Sequence, residues 1–505
     1  MDFPTGQTVN GDSFATDETL TCDAVIIGSG AGGAAAAWQL TQAGLSVAIL
    51  EEGRKFEPHQ VATKQSWALR NLYAERGTTV ALGNIFLPLA RGRVVGGSTF
   101  LNAAICFRTP KKVLDTWQKE YGIGWADAAE MSSTFEEVER AIGVTKTRPD
   151  QAKTHSLLFK AGVDALKLEG DFISRNAPAC VGCGICQFGC PLGFKGSVDR
   201  NLIPFSLQNG AALFPCTRAV SLLIENGAAV GVEAYGVDPL TEERKRKLTF
   251  RAKKVFLCGG AIGSPLFLMR SNIGGSSGQL GENLRVHLAA GVVARFDQIV
   301  DLWHGAQQGY YAHLPDANAV LETFSATPEV FATQYSEYGK PMKQLRELAA
   351  CGVMIGDVSK GRVRPGPIES RSALTYDVER EDHLTLLKGF EQISRIYFAA
   401  GARSVHLGIP GIGPLEKMSD VEKITRRTDL PFDELAQYAS HPMGTVRMHA
   451  DKARGVVKPD GETHEVKNLI VADASVFPTS LGVNPQISVM TTSVVIARQQ
   501  LKAGA

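Results

Sequence analysis

Apolar and polar positions alternate along the chain in a repeated pattern. A short apolar run, Ala24 to Ile27, leads directly into GSGAGG, then an Ala-rich helical stretch, AAAAWQLTQAG, then SVAIL ending at Glu51. The pattern predicts a strand, a glycine turn, a helix closed by Gly44 and a second strand. A second segment of the same kind, KKVFLCGGAIGSPLFLMRSNIG, sets a β-type run from Val255 to Cys258 before a glycine pair and a helical stretch. A third, NLIVADASVFP, is an apolar strand ending in Asp473. Segments so alike and so far apart predict one parallel sheet assembled from distant pieces, an α/β, Rossmann-like unit.

The stretches between them, roughly 115–175 and 290–437, are more polar, lack glycine-rich turns and carry aromatics such as Trp303, Tyr310, Tyr311, Phe324, Phe331 and Tyr335. They predict a second, substrate-facing domain of antiparallel sheet plus helices. No repeat or flexible linker separates the units, so the two are expected to interleave. The nucleotide-binding unit then comprises 20–114, 176–289 and 438–505, and the substrate unit 115–175 and 290–437. A chain of 505 residues is long enough for two cores.

Charge narrows the classes. Lys and Arg number 53 against 52 Asp and Glu, without the clustered basic excess of a nucleic-acid binder. No apolar run approaches the ~20 residues of a membrane span. The first twenty residues show no basic, apolar or twin-Arg export pattern, so a cytoplasmic location is expected.

Gly28, Gly30 and Gly33 fit G-x-G-x-x-G, whose glycines permit a tight turn, close approach to a pyrophosphate and close helix–strand packing. Phosphates then sit at a positive helix N-terminus. Glu51, 23 positions after Gly28, ends the second strand where an adenosine ribose would be held. Strand alternation lets only one of Glu51 and Glu52 face that ribose. This spacing alone does not separate FAD from NAD.

The rest of the chain bears on that choice. GSGAGG with LEEG, GRVVGGSTFLNAAICFR, VFLCGGAIGSPLFLMRSNIG with LGENLRVH, and the closing SHPMGTVRM, GVVKPDG, NLIVADASVFP and NPQISV occur in order. In these motifs the chain resembles the glucose-methanol-choline (GMC) flavoprotein oxidoreductases, in their bacterial type with a cysteine-rich loop. The resemblance implies FAD, held by the glycine turn, by Gly97, Ser98 and Asn102, by the main chain at Val220, and by Asp473 and Pro485. It also implies His441 as the group that takes a proton from an alcohol and Asn484 as the donor that polarises its oxygen. A plainer reading makes Asn484 and Pro485 the cap and first residue of a final helix. His287 is read as a structural histidine.

Four of the nine cysteines, Cys180, Cys183, Cys186 and Cys190, give C-x2-C-x2-C-x3-C followed by Pro191. That spacing suits an iron–sulfur cluster held by all four, by three of them with a remote thiolate such as Cys216, or as a three-iron cluster; zinc and unmetallated thiols remain open. A cluster would offer electrons a one-electron exit toward a partner. The expected activity is oxidation of a small-molecule alcohol, hydrophobic or aromatic, by a dehydrogenase. The alternatives are an oxidase using O2 and a non-redox, FAD-containing enzyme like the hydroxynitrile lyases.

Overall fold

The computed structural model of the chain describes residues 2–334, 341–368 and 371–504, so Tyr335 lies outside the described residues. The three separated apolar runs do meet in one sheet. Glu18–Ile27 pairs in parallel with Val47–Leu50 on one side and with Arg244–Leu257 on the other. Ala211–Phe214 extends the sheet beyond Val47–Leu50, and Leu469–Val471 pairs in parallel with Val255–Leu257. The earlier half of the long strand Arg244–Leu257 turns antiparallel to Ala228–Val237, which pairs with Thr217–Glu225. The parallel strands Val47–Leu50 and Ala211–Phe214 are buried along their whole length, as strands covered on both faces require.

The second unit is a seven-stranded sheet in the order Ser404–His406, Ala289–Arg295, Leu348–Ile355, Ala319–Thr323, Tyr310–His313 and Gly170–Phe172, with Gln437–Tyr438 added to the second strand. Every pairing in it is antiparallel. Helices Pro149–Ala165 and Arg380–Ala399 pack against it, burying Phe159, Phe390 and Tyr397. A smaller sheet joins Lys360–Pro365 and Ser372–Asp377 to Val80–Leu82 and Phe86–Pro88.

The division of the chain differs from expectation at two places. Helices Lys111–Tyr121 and Ala128–Ile142 bury Trp117, Met131, Phe135 and Val138 in the core of the parallel sheet, so the substrate unit takes up the chain only near Pro149. Conversely Ala81, Ile85, Leu87 and Leu89, placed by sequence in the first unit, belong to the second core. An amphipathic pattern says that one face is buried, not which sheet buries it. No helix among the described residues is long and apolar enough to cross a membrane.

Candidate active site

The C-terminal ends of the parallel strands converge on one edge, where ligands of open α/β sheets bind. A cavity of about 730 Å³ begins there, at Gly28, Gly30 and Glu51, and runs past Gly97, Ser98 and Asn102 to Asp473, His441, Asn484 and Pro485. Its far wall is one face of the antiparallel sheet, including Ala289, Glu322, Phe324 and Met354.

The glycine end is built by close backbone approach. Gly28 has φ of 102°, and a Cβ there would lie 2.4 Å from the carbonyl oxygen of Cys258. A Cβ on Gly33 would meet the Gly28 carbonyl oxygen at 1.9 Å, so this glycine seats the helix on the strand and lies behind the cavity wall. Gly97 faces Gly30 so closely that a Cβ would stand 2.8 Å from its Cα. The helix Ala31–Gln42 starts at Gly30 without a side-chain cap or an acidic residue in its first turn. Its amides and partial positive charge are therefore open to a phosphate.

Glu51 is buried, and burial pushes its carboxyl above the ordinary range while bonds from Ser29 and Gly53 pull it back. Its oxygens accept from Ser29 N at 3.1 Å, Ser29 Oγ at 2.7 Å and Gly53 N at 2.8 Å. Ser29 Oγ in turn accepts from Gly96 N at 3.1 Å, tying the two glycine loops together. Glu52 points elsewhere, into ion pairs with Arg218 at 3.1 Å and Arg93 at 3.6 Å. Asn102 donates to Gln486 Oε1 at 2.8 Å, and Ser98 Oγ accepts from Gly92 N at 3.0 Å. Asp473 is also internally satisfied: it accepts from Gly260 N, Ser264 Oγ and Ser475 N at 2.6 to 2.8 Å, capping two helical turns. The cavity wall on the outer strand is Thr217, Arg218 and Ala219, in place of the expected Val220. Val220 falls where the pairing shifts between Ala219 and Ser221, a bulge that takes it out of the ladder.

At the other end His441 and Asn484 come together on the cavity wall. Burial, and then the neighbouring His287, push the His441 imidazole down to about 3, so it is neutral with a lone pair to accept a proton. The two rings lie 5.4 Å apart at 73°. His287 Nε2 accepts from the Leu481 and Gly482 amides, both at 3.0 Å, which fixes the loop leading to Asn484. Asp357 holds the start of that arrangement, accepting from Val286 N, His287 N and Ser480 Oγ. His287 itself also lines the cavity, beside His441.

Asn484 does not cap the final helix. The helix Gln486–Lys502 has Pro485 at its N-cap with no side-chain cap bond, while Asn484 is buried with its Oδ1 unpartnered. The plainer reading of Asn484 as the helix cap is therefore not what the fold shows, and the side chain lines the cavity instead. Glu322, which the sequence reading passed over, lies against Asn484. Its one signal was an acid inside the apolar run AVLETF.

Two of the four cysteines of the C-x2-C-x2-C-x3-C run lie against a buried cation. Buried Arg175 donates to Cys180 Sγ and Cys186 Sγ, both at 3.5 Å, and to the Ala103 carbonyl at 2.8 Å. Lys195, also buried, donates to the Phe100 and Asn102 carbonyls at 2.7 and 2.9 Å, linking this loop to the flavin-motif loop. Among the described residues no group of three or more His, Cys, Asp or Glu is arranged to hold a metal ion. The iron–sulfur and zinc readings of the spacing gain no support from this geometry. Cys216 sits apart from the loop, its amide bonded to Gly53 O at 3.0 Å beside the glycine end.

Comparison with known proteins agrees with the motifs. GMC oxidoreductase family models match residues 69–289 and 358–493, and an FAD binding domain model matches 23–71. An uncharacterized GMC-type oxidoreductase of Mycobacterium tuberculosis is 33% identical over 484 residues, covering 94% of this chain and 75% of the relative. A long-chain-alcohol oxidase of Arabidopsis thaliana is 26% identical over 518 residues, covering 95% of this chain and 66% of the relative. Among solved structures, pyridoxine 4-oxidase from "Mesorbium loti" superposes with a TM-score of 0.73 at 20% identity, covering 95% of this chain and 99% of that one.

Proposed function

The chain belongs to the GMC oxidoreductase family and is an FAD-dependent oxidoreductase acting on alcohols, and from that premise we propose how its residues divide the work. The glycine turn, the open helix N-terminus and the Gly97–Ser98 loop fit a dinucleotide, because the glycines bring bare backbone together beside an uncapped helix start that can receive phosphates. FAD supplies the hydride acceptor when bound. A neutral ring nitrogen of His441 takes the hydroxyl proton, and the Asn484 amide donates to the same oxygen as negative charge develops on it. The wall formed by Ala289, Phe324 and Met354 favours an alcohol with an apolar body and excludes water from the reacting carbon.

The observation that carries this reading is that a neutral His441 and a buried Asn484, freed from any capping role, line the same cavity as the glycine turn. Anaerobic addition of primary alcohols to the purified holoenzyme tests it. Bleaching of the oxidised flavin band is expected. A band that no alcohol bleaches would favour the non-redox reading instead. Reoxidation by a dye faster than by air would identify a dehydrogenase, and the reverse an oxidase.

A further inference from the structure

The substrate end of the cavity holds a carboxyl group that proton and hydride removal from an alcohol leaves without a task. Glu322 lies in the strand Ala319–Thr323, all of whose residues are buried. Alternation turns Leu321 into the core behind the sheet, and presents Glu322 and Phe324 to the cavity. Gly352 stands opposite Glu322 in the neighbouring strand, and a side chain there would collide with the Tyr438 hydroxyl at 2.8 Å. The glycine keeps open the space in front of the carboxyl.

One oxygen of that carboxyl, Oε2, accepts from Gln308 Nε2 at 2.9 Å. The other, Oε1, is buried and has no partner. The Asn484 amide also bonds the carboxyl, which sets how Asn484 is turned. Three more buried polar atoms on this wall lack partners: Asn484 Oδ1, Gln307 Oε1 and Ser325 Oγ. Of the four, three can only accept. A purely hydrocarbon substrate would displace water from them and supply nothing in return.

We propose that Glu322 is a second recognition point of the substrate site, binding a hydrogen-bond donor, a hydroxyl or an amine, that the alcohol carries a few bonds from its reacting carbinol. This rests on the alcohol-oxidising reading above and narrows it to alcohols with an apolar body and a second donor. Asn484 touches the reacting oxygen and Glu322 touches Asn484, so the second donor lies near the first hydroxyl rather than at the tip of a long chain. Burial pushes the Glu322 carboxyl up to about 7, against the pull of its bonds to Asn484 and Gln308. The group is therefore balanced between an acceptor above neutrality and a neutral acid below it.

The test uses holoenzyme and anaerobic flavin reduction with matched sets of three to eight carbons: the 1-alkanol, the diol and the amino alcohol of each length. In at least one set the diol or amino alcohol should exceed its alkanol by about tenfold or more in kcat/KM, a preference of the size that a paired buried polar group confers. In Glu322→Gln that ratio should collapse to within about threefold, whatever happens to the absolute rates. Amine over hydroxyl, or the reverse, identifies which donor the site takes. Should the variant fail to hold FAD, the ratio in the native protein decides, because it should rise with pH through about 7 and a flat profile overturns the proposal. A native ratio near one at every length, or one that survives in the variant, overturns it as well. Flavin bleached by none of these alcohols would overturn the parent reading; flavin bleached without preference would overturn only this one.

Discussion

The two ends of the cavity hold their acids in opposite ways. At the nucleotide end the acids are consumed by the protein: Glu51 accepts three hydrogen bonds from Ser29 and Gly53, and Asp473 three from Gly260, Ser264 and Ser475. At the substrate end Glu322, Asn484, Gln307 and Ser325 each keep a buried atom unpaired. The first end is a backbone mould held rigid by its own bonds, with the ligand received at glycine faces and a helix terminus. The second holds unspent acceptors, the condition under which a ligand's polar groups decide whether it binds.

If that contrast is right, damage at the first end should cost cofactor and fold, whereas damage at the second should cost rate and selectivity. The largest effect is expected from Gly33→Ala, whose methyl would sit 1.9 Å from the Gly28 carbonyl oxygen. Purified protein should carry little flavin, read from the ratio of flavin to protein absorbance; full occupancy would show that the turn yields more easily than its packing implies. Glu51→Ala comes next, stranding the Ser29 and Gly53 donors, each worth about 1–3 kcal/mol when buried unpaired. A thermal midpoint lowered by several degrees in the apoprotein is expected; an unchanged one would mean that the acid waits for the ribose alone.

The smallest effect sharpens the other side. Glu322 titrates at about 7 folded and near ~4.3 unfolded, so the folded state holds the extra proton between those values. Its contribution to stability is present below ~4.3 and is lost as pH rises to about 7, at no more than about 1.4 kcal/mol per pH unit. Relative to the native protein, Glu322→Gln should therefore gain stability from pH 4.5 to 7 and hold that gain above. A difference independent of pH would show the carboxyl to be ionised throughout.

The nucleotide end was legible in the sequence because its requirements are local. Gly28, Gly33 and Glu51 lie on one strand–turn–helix–strand unit, and spacing alone says what each must do. Of the substrate end, His441 and Asn484 were reachable only through resemblance, since nothing local separates a catalytic histidine from a structural one. Asn484 before Pro485 even read as a helix cap until the fold put the cap at Pro485 and left the amide oxygen bare. Glu322 escaped because its meaning depends on the partners that 160 residues of intervening chain bring to it. The cysteine run has the same limit: its spacing fits a metal or plain thiols alike, and only the fold shows the Arg175 guanidinium against two of its sulfurs.

The central claim is that cofactor holding and proton removal reside in separable halves of one cavity. His441→Ala tests it most directly, with flavin content and the anaerobic rate of flavin reduction by an alcohol measured on the same sample. The account predicts native flavin content and a rate lowered by about 10²–10⁴-fold, the loss that follows removal of a positioned base. A variant that reduces its flavin at the native rate, or one that cannot hold flavin at all, would contradict it.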